Sequence, residues 1–359
     1  MGRELAKASA QLAGLLAWTL TGLACAAAPS PPVSVEEGLR GLSAGARELF
    51  AKYEAQALRK GWRRKEIEVD GRERQLMWTG PKGRWARGAI IAMHGGGGTY
   101  SNYACGVRLG RPMEEFAGLA VKKGFAVISP DSTFNGAADA KGRKCGKRWD
   151  CTAVGGRANV DLPFIRKIVE EVIPELRPAG SGRGVFMTGI SNGGFMTILA
   201  ATSMPGRITA FAPVSCGDPY GTHMDMGTHP RLERANAPGV FRDNGTGRTI
   251  STLGAAGSGP YRNEKKWPEH KLERMPGFRQ FQDRNDGCVD FSLAVKARDM
   301  LVRHGYRDAG ALFIRGGRRS VWLHFWQRAY NRPMLAFFEE QARGLENAAD
   351  PGAGGEEKH

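Results

Sequence analysis

Gly189–Ile190–Ser191–Asn192–Gly193 is the stretch whose residue types and spacing could do chemistry. A serine flanked at two residues' distance by glycines can occupy the apex of a sharp strand-to-helix turn, with its hydroxyl presented as a nucleophile. The backbone at such an apex is strained, so the positions two before and two after must be small. An apolar run from Gly184 to Thr188 leads in, and a helix-compatible apolar run from Phe195 to Ala201 leads out. With 50 glycines in 359 residues, about 0.3 chance matches to this pattern are expected, so context has to decide. A second match, Gly41–Leu42–Ser43–Ala44–Gly45, lies in a helical-looking segment with no strand before it and is set aside.

A serine nucleophile needs two further things. The first is a pair of fixed backbone N–H donors for the oxyanion formed on attack. One belongs to the residue after the nucleophile, Asn192, and the other to the loop after the third strand. His94–Gly95–Gly96–Gly97–Gly98 follows a buried strand directly, so Gly96, or Gly97 beside it, is the second donor. Taken alone the run would be an ordinary glycine-rich turn; paired with the elbow it reads as an oxyanion loop, with His94 structural. The second requirement is a histidine base oriented by a carboxylate, in the chain order Ser, acid, His. His304 falls inside a helix and His359 in the tail, whereas His324 lies between the last strand and the last helix, where the base belongs. The acid should follow the strand Phe278–Gln282, which leaves Asp283, Asp286 and Asp290. His223, Asp225 and His229 have a conceivable metal-ligand spacing but read as polar loop surface, so no metal is expected.

These residues must be carried by a scaffold, and the chain supplies strands and helices in alternation. A helix over Val35–Lys60 precedes two strand-like stretches, Arg63–Val69 and Arg72–Thr79, joined by the hairpin signal Asp70–Gly71. Strands follow at Ala89–Met93, Phe125–Ser129, Gly184–Thr188, Ile208–Val214, Phe278–Gln282 and Ala311–Ile314. Helices are predicted over Arg111–Lys123, Val160–Leu176, Phe195–Met204, Phe291–His304 and Phe325–Arg343. Wholly apolar strands separated by helices imply an α/β domain with a mostly parallel, doubly wound sheet. The organisation expected is a signal at 1–26, a linker and helix at 27–61, a catalytic domain at 62–344 with an insert at 217–274, and an unstructured tail at 345–359. The glycine-, proline- and asparagine-rich insert enters where the strands end at their carboxyl side, so it reads as a lid.

Several of these segments resemble one family. Gly189–Ile190–Ser191–Asn192–Gly193–Gly194–Phe195–Met196 is similar to the Gly-x-Ser-Asn-Gly-Gly-x-Met elbow of the polyhydroxybutyrate depolymerase and feruloyl esterase-like α/β-hydrolases. Asn159–Ile165 and Phe211–Ser215 are similar to the segments before and after that elbow. Asp286–Phe291 resembles the family's acid motif, and His324–Phe325–Trp326 its His-x-Trp. The resemblance spans roughly Gly88 to Phe338. It departs at the four-glycine run, at Leu323 in place of glycine, and at Asp290 in place of proline. It implies an α/β-hydrolase fold, a Ser191–His324–Asp286 triad, no cofactor, and carboxylic ester substrates, polymeric or small. Asp286 is also the choice on position: Asp283 follows its strand too closely, and Asp290 is placed to cap the next helix. A peptidase of the same fold and an inactive, envelope-binding relative are the competing readings.

Composition bounds the setting. A hydrophobic content of 41% is enough for a sizeable core. Arg3 and Lys7, the apolar stretch Leu12 to Ala24 and the small residues Ala24–Ala28 read as a secretory signal cleaved after Ala26, too short to span a bilayer. Cys25 raises the alternative of a lipoprotein anchor. Cleavage removes Arg3, Lys7 and Glu4 and lowers the formal charge from +16 to +15. That field suits anionic surfaces but reads more simply as solubility, and no motif supports nucleic-acid binding. Export makes the remaining cysteines candidates for bridges. The ends of the strands preceding Cys216 and Cys288 are neighbours in a parallel sheet, so a Cys216–Cys288 disulfide is expected. Cys145–Cys151 could form a second, leaving Cys105 as a thiol.

Overall fold

A computed structural model of the chain describes residues 44–107, 109–132, 147, 149–151, 159–220, 232–234, 240–243, 248–251, 267–314 and 316–349. The signal at 1–26 with Cys25, Cys145, the His223–Asp225–His229 set, most of the 217–274 insert and the end of the tail lie outside those residues.

Helix α1 (Ala44–Arg59) leads into strands β1 (Arg63–Val69) and β2 (Arg72–Thr79), which pair antiparallel with Val69 opposite Arg72. Asp70 at φ 50° and Gly71 at φ 71° make the two-residue turn, in the doubly left-handed form that matches strand twist. The hairpin joins strands β3 (Gly88–Met93), β4 (Phe125–Pro130), β5 (Val185–Ile190) and β6 (Ala210–Val214), every residue of which is buried. Strand β2 runs antiparallel to β4; β4, β3, β5 and β6 are parallel to one another. The next two sheet positions are each filled by a broken strand. One is β10 (Gly277–Phe278) with β11 (Phe281–Asp283), the other β12 (Arg307–Asp308) with β13 (Leu312–Ile314). The order is therefore β1-β2-β4-β3-β5-β6, followed by the two broken strands. With the second strand reversed and Ser191 just past the fifth, this is the α/β-hydrolase fold.

Helices cover both faces of the sheet. Alternate residues of β3 show why the strand reads as continuously apolar: Ala89, Ile91 and Met93 enter one core cluster, Ile90 and Ala92 the other. The first cluster takes helix α4 (Leu162–Lys167, continuing to Leu176) and helix α5 (Asn192–Ser203). The second takes α2 (Ser101–Cys105), α3 (Arg111–Lys122) and α7 (Asn331–Ala349). Helix α4 widens into a π turn at Ile168–Val172, just before Pro174. Proline there has no N–H to close an α-helical ring, and the wider turn absorbs the mismatch. Separate from the main sheet, β7 (Leu232–Arg234), β8 (Val240–Asp243) and β9 (Arg248–Ser251) form an antiparallel sheet within the insert. Among the described residues no helix is long and apolar enough to cross a membrane.

Sequence and structure part at the chain's last third. The strand predicted over Phe278–Gln282 breaks at Arg279–Gln280, where the Gln280 side chain turns to donate to Cys216 O at 3.2 Å. The final helix starts at Asn331 rather than Phe325. Two 3₁₀ turns, Val321–His324 and Arg328–Tyr330, occupy the intervening chain. That helix also runs to Ala349, into the segment read as tail.

Candidate active site

Ser191 adopts φ 55° and ψ −121°, a left-handed conformation rare for a residue with a side chain. Its N–H donates to Val214 O of β6 at 2.9 Å, and its carbonyl accepts from Phe195 N–H at 2.9 Å, so the strain is held by the strand on one side and the helix on the other. The flanking glycines are required by contact. A Cβ on Gly193 would lie 2.4 Å from His94 O and 2.5 Å from Met93 O, and one on Gly189 2.4 Å from Gly193 O. Helix α5 can start this close to the ends of β3 and β5 only because nothing projects from those two positions.

The glycine run lies against the elbow: a Cβ built on Gly95 would sit 3.7 Å from Ser191 Cβ. Gly97 N–H is spent on Lys147 O at 2.8 Å, and Gly98 N–H on Gly95 O at 2.9 Å. Gly96 is exposed, and its N–H has no hydrogen-bond partner among the described residues. Of the two glycines the sequence left open, Gly96 is the one with a donor to offer. Asn192 is the first residue of α5, where helix N–H groups lack an intrahelical acceptor.

His94 is fully buried. Its Nδ1 donates to Gly95 O at 2.8 Å and its Nε2 accepts from Ser132 N–H at 3.2 Å, a pattern that fits the neutral ring. Burial pushes its pKa down to about 4, although Asp131 pulls the other way. Asp131 is held by Lys147, by Gln75 at 3.0 Å and by Tyr100 N–H at 2.8 Å. Burial raises the Asp131 carboxyl, but the charge of Lys147 and the hydrogen bonds from Lys147 and Gln75 outweigh it and hold it below the ordinary value. This is a structural histidine on a buried ion pair.

His324 Nδ1 lies 2.8 Å from Asp286 Oδ2. The second donor to that oxygen is Gln282 Nε2 at 2.9 Å; Oδ1 accepts from Cys288 N–H at 2.7 Å and Val289 N–H at 3.0 Å. Three N–H donors, from Gln282, Cys288 and Val289, suit a carboxylate, which is acceptor only. Against such a carboxylate His324 donates from Nδ1, and a neutral ring then keeps its lone pair on Nε2. The two loops are joined by main chain: Gly287 N–H donates to Ser320 O at 3.0 Å and Ser320 N–H to Asn285 O at 3.1 Å. The Cys288 thiol lies close enough to Asp286 and His324 for a three-ligand cation site, but both Asp286 oxygens already accept from N–H donors.

The other carboxylates have other work. Asp290 caps helix α6 (Phe291–Arg303), accepting from Ser292 N–H at 3.0 Å. Asp283 is fully buried and ties two loops, accepting from Asn285 N–H at 2.7 Å and Gly316 N–H at 2.9 Å. His304 ends α6 and stacks on Trp267 at 5.0 Å.

The expected Cys216–Cys288 bridge does not form. The strands are neighbours as anticipated, with Phe281 opposite Val214. The two residues nevertheless diverge beyond them. The Cys216 thiol is buried against Gly194 at the start of α5, whereas the chain after β11 turns through Asp286 and Gly287 toward Ser320 before reaching Cys288. Burial raises the Cys216 thiol well above its ordinary pKa.

Sequence reasoning also missed Trp149 and Gln282. Trp149 donates from Nε1 to His94 O at 2.9 Å and from its backbone N–H to Asn192 Oδ1 at 2.7 Å. An isolated tryptophan in a lysine- and glycine-rich stretch was the available sign. For Gln282 there was none, because a strand-end glutamine looks like any polar residue.

No protein-family model matches the chain, and no curated protein sequence matches it. Solved structures do resemble it. Est1E from Butyrivibrio proteoclasticus, also solved with ferulic acid bound, is 16% identical with a TM-score of 0.47, over 78% of this chain and 99% of that one. An acylaminoacyl peptidase from Pyrococcus horikoshii is 14% identical at a TM-score of 0.49; the match covers 78% of this chain and 41% of the peptidase. SOBER1 from Arabidopsis thaliana is 14% identical at a TM-score of 0.44, over 71% of this chain and 99% of that one. What identifies the fold is the strand order and the elbow.

Proposed function

We propose that the chain is an exported serine ester hydrolase of the polyhydroxybutyrate depolymerase and feruloyl esterase-like kind. The observation that supports this most is the strained Ser191 at the mouth of β5 in a chain that also holds a buried, hydrogen-bonded His324–Asp286 pair. In this reading Ser191 Oγ attacks the ester carbonyl carbon while His324 Nε2 takes its proton. Asp286 keeps the imidazole in the tautomer that can accept, and stabilises the imidazolium that forms. The tetrahedral oxyanion is received by the N–H groups of Gly96 and Asn192. Collapse expels the alcohol, which takes the proton from His324. Water then attacks the acyl-enzyme by the same route, releasing the carboxylic acid and restoring Ser191. The sequence-level case for esters is the Ser-Asn-Gly-Gly context, and for export the first 26 residues.

Mature protein should hydrolyse p-nitrophenyl acetate or butyrate, and a serine-directed phosphonate should abolish that activity with labelling at Ser191. A panel of feruloyl, acetyl and hydroxybutyrate-polymer substrates then names the acyl group. Turnover of aminoacyl anilides in preference to esters would replace this reading with a peptidase, and failure to react with the phosphonate would end it.

A further inference from the structure

The β3–β5 ladder ends at Met93 opposite Gly189. Gly96 and Asn192 both lie beyond that last pair, one on the glycine loop and the other at the start of α5. A single segment bridges them. On the glycine loop, Lys147 O accepts from Gly97 N–H at 2.8 Å and Trp149 Nε1 donates to His94 O at 2.9 Å, with the indole packed on the His94 ring at 5.1 Å. On the elbow, Trp149 N–H donates to Asn192 Oδ1 at 2.7 Å, and Asn192 Nδ2 returns a bond to Trp149 O at 3.1 Å. That Nδ2 also reaches Cys151 Sγ at 3.0 Å.

This segment is itself fastened at both ends. Lys147 Nζ pairs with buried Asp131. Asp150 N–H donates at 2.6 Å to Asp161, which pairs with Arg74 at 2.5 Å. Trp149 and Asn192 are 2% and 7% exposed, so the Asn192 carboxamide is turned inward and consumed by the clamp. The elbow turn asks only for small neighbours at 189 and 193, and nothing in it requires an amide at 192. The clamp does: a carboxamide can both accept from and donate to one backbone residue.

We propose that Trp149 and the Asn192 side chain are positioning residues that set the separation of the Gly96 and Asn192 N–H donors, acting on the transition state rather than on substrate binding. This rests on the esterase reading above. Oxyanion donors work by being held in place before charge develops, so a shift of a fraction of an ångström lowers turnover without loosening the ground-state complex.

The test compares Trp149→Phe, Asn192→Ala and the double variant in the full mature chain, with p-nitrophenyl butyrate as substrate and an aryl trifluoromethyl ketone as the oxyanion-forming inhibitor. A misplacement of this kind should lower kcat about 10- to 100-fold, with KM within about twofold. Inhibition by the ketone should weaken by the factor lost in kcat/KM, while inhibition by the product carboxylate stays unchanged. The double variant should be little worse than the poorer single one, because both break one clamp. Unchanged kcat and ketone affinity in both folded single variants, a loss confined to KM, or fully additive losses would overturn the proposal. Hydrogen exchange of the 94–98 amides gives a readout independent of turnover. It should speed up in both variants, and unchanged protection also overturns the clamp. If the wild-type chain hydrolyses no ester and resists the phosphonate, the esterase reading fails on its own, and the exchange result still judges the clamp.

Discussion

The glycine-loop and elbow region and the His324–Asp286 region are built by different means. Around Gly96 and Asn192, β3, β5 and β6 are five or six residues long and entirely buried, and the groups of interest sit within three residues of a strand end. The main chain does most of the positioning there. Around His324 and Asp286, the strands are two or three residues long, and β12 and β13 are not buried. His324 and Asp286 are 38 residues apart, and what brings them together is two backbone hydrogen bonds to Ser320 and a shell of donors around one carboxylate. A long ladder tolerates the loss of any single bond but not an added atom. A short one tolerates added atoms better than the loss of a donor or acceptor.

That contrast can be broken at either end. The largest effect should come from the proposed nucleophile: Ser191→Ala should reduce esterase turnover about 10⁶-fold, as for other serine nucleophiles, with a circular dichroism spectrum like that of the parent. Next, Asp286→Asn leaves the shape of the acid site but lets His324 take the wrong tautomer. Turnover should fall about 10⁴-fold while the protein still folds. If Asp283→Asn proved the dead variant and Asp286→Asn the near-normal one, the acid–base side would be misassigned.

The steric half of the contrast is read by Gly193→Ala. Its methyl would meet two carbonyl oxygens at the end of β3, which cannot retreat without pulling the strand. Overpacking of that kind costs about 3 kcal/mol or more, and urea unfolding measures it. The corresponding change on the acid side, Gly316→Ala, meets the ends of the Leu323 and Asp283 side chains and should cost distinctly less.

Acid should weaken the oxyanion side through His94. Its pKa is about 4 folded against 6.5 for the free side chain, so the unfolded chain binds the extra proton first and stability falls as pH falls. The contribution is complete above about pH 6.5 and is lost between there and about 4, amounting to about 3 kcal/mol. Urea midpoints across that range should fall in the parent and flatten in His94→Gln. An unchanged slope would show that His94 is not held neutral. Smallest, Asp290→Ala removes the α6 cap and the bond to Arg319. It should lower stability by about 1 kcal/mol and keep most activity.

The comparison also explains what could be read in advance. The Ser191 elbow, the buried strands β3 to β6 and the Asp70–Gly71 hairpin were legible because each depends on residues adjacent in the chain: small neighbours, apolar runs, a turn dipeptide. His324, Asp286 and Gly96 were reached by chain order and by a family likeness, a weaker route that left Asp283, Asp290 and Gly97 open. The structure adds what each atom is already bonded to. Asp290 is spent on a cap, Asp283 on Gly316, and Gly97 on Lys147, while Asp286 faces His324.

By itself the sequence determined the local elements: which runs are buried strands, where the strained serine sits, and which turns need glycine. Those follow from side-chain periodicity and backbone sterics within a few residues. Only the tertiary structure decided the long-range pairings. It broke the seventh and eighth strands, sent Cys288 away from Cys216, and set Trp149 between the glycine loop and the start of α5, 55 and 43 residues away. Such choices depend on which donors and acceptors remain after the sheet has formed, and that is a property of the packed chain rather than of any window of it.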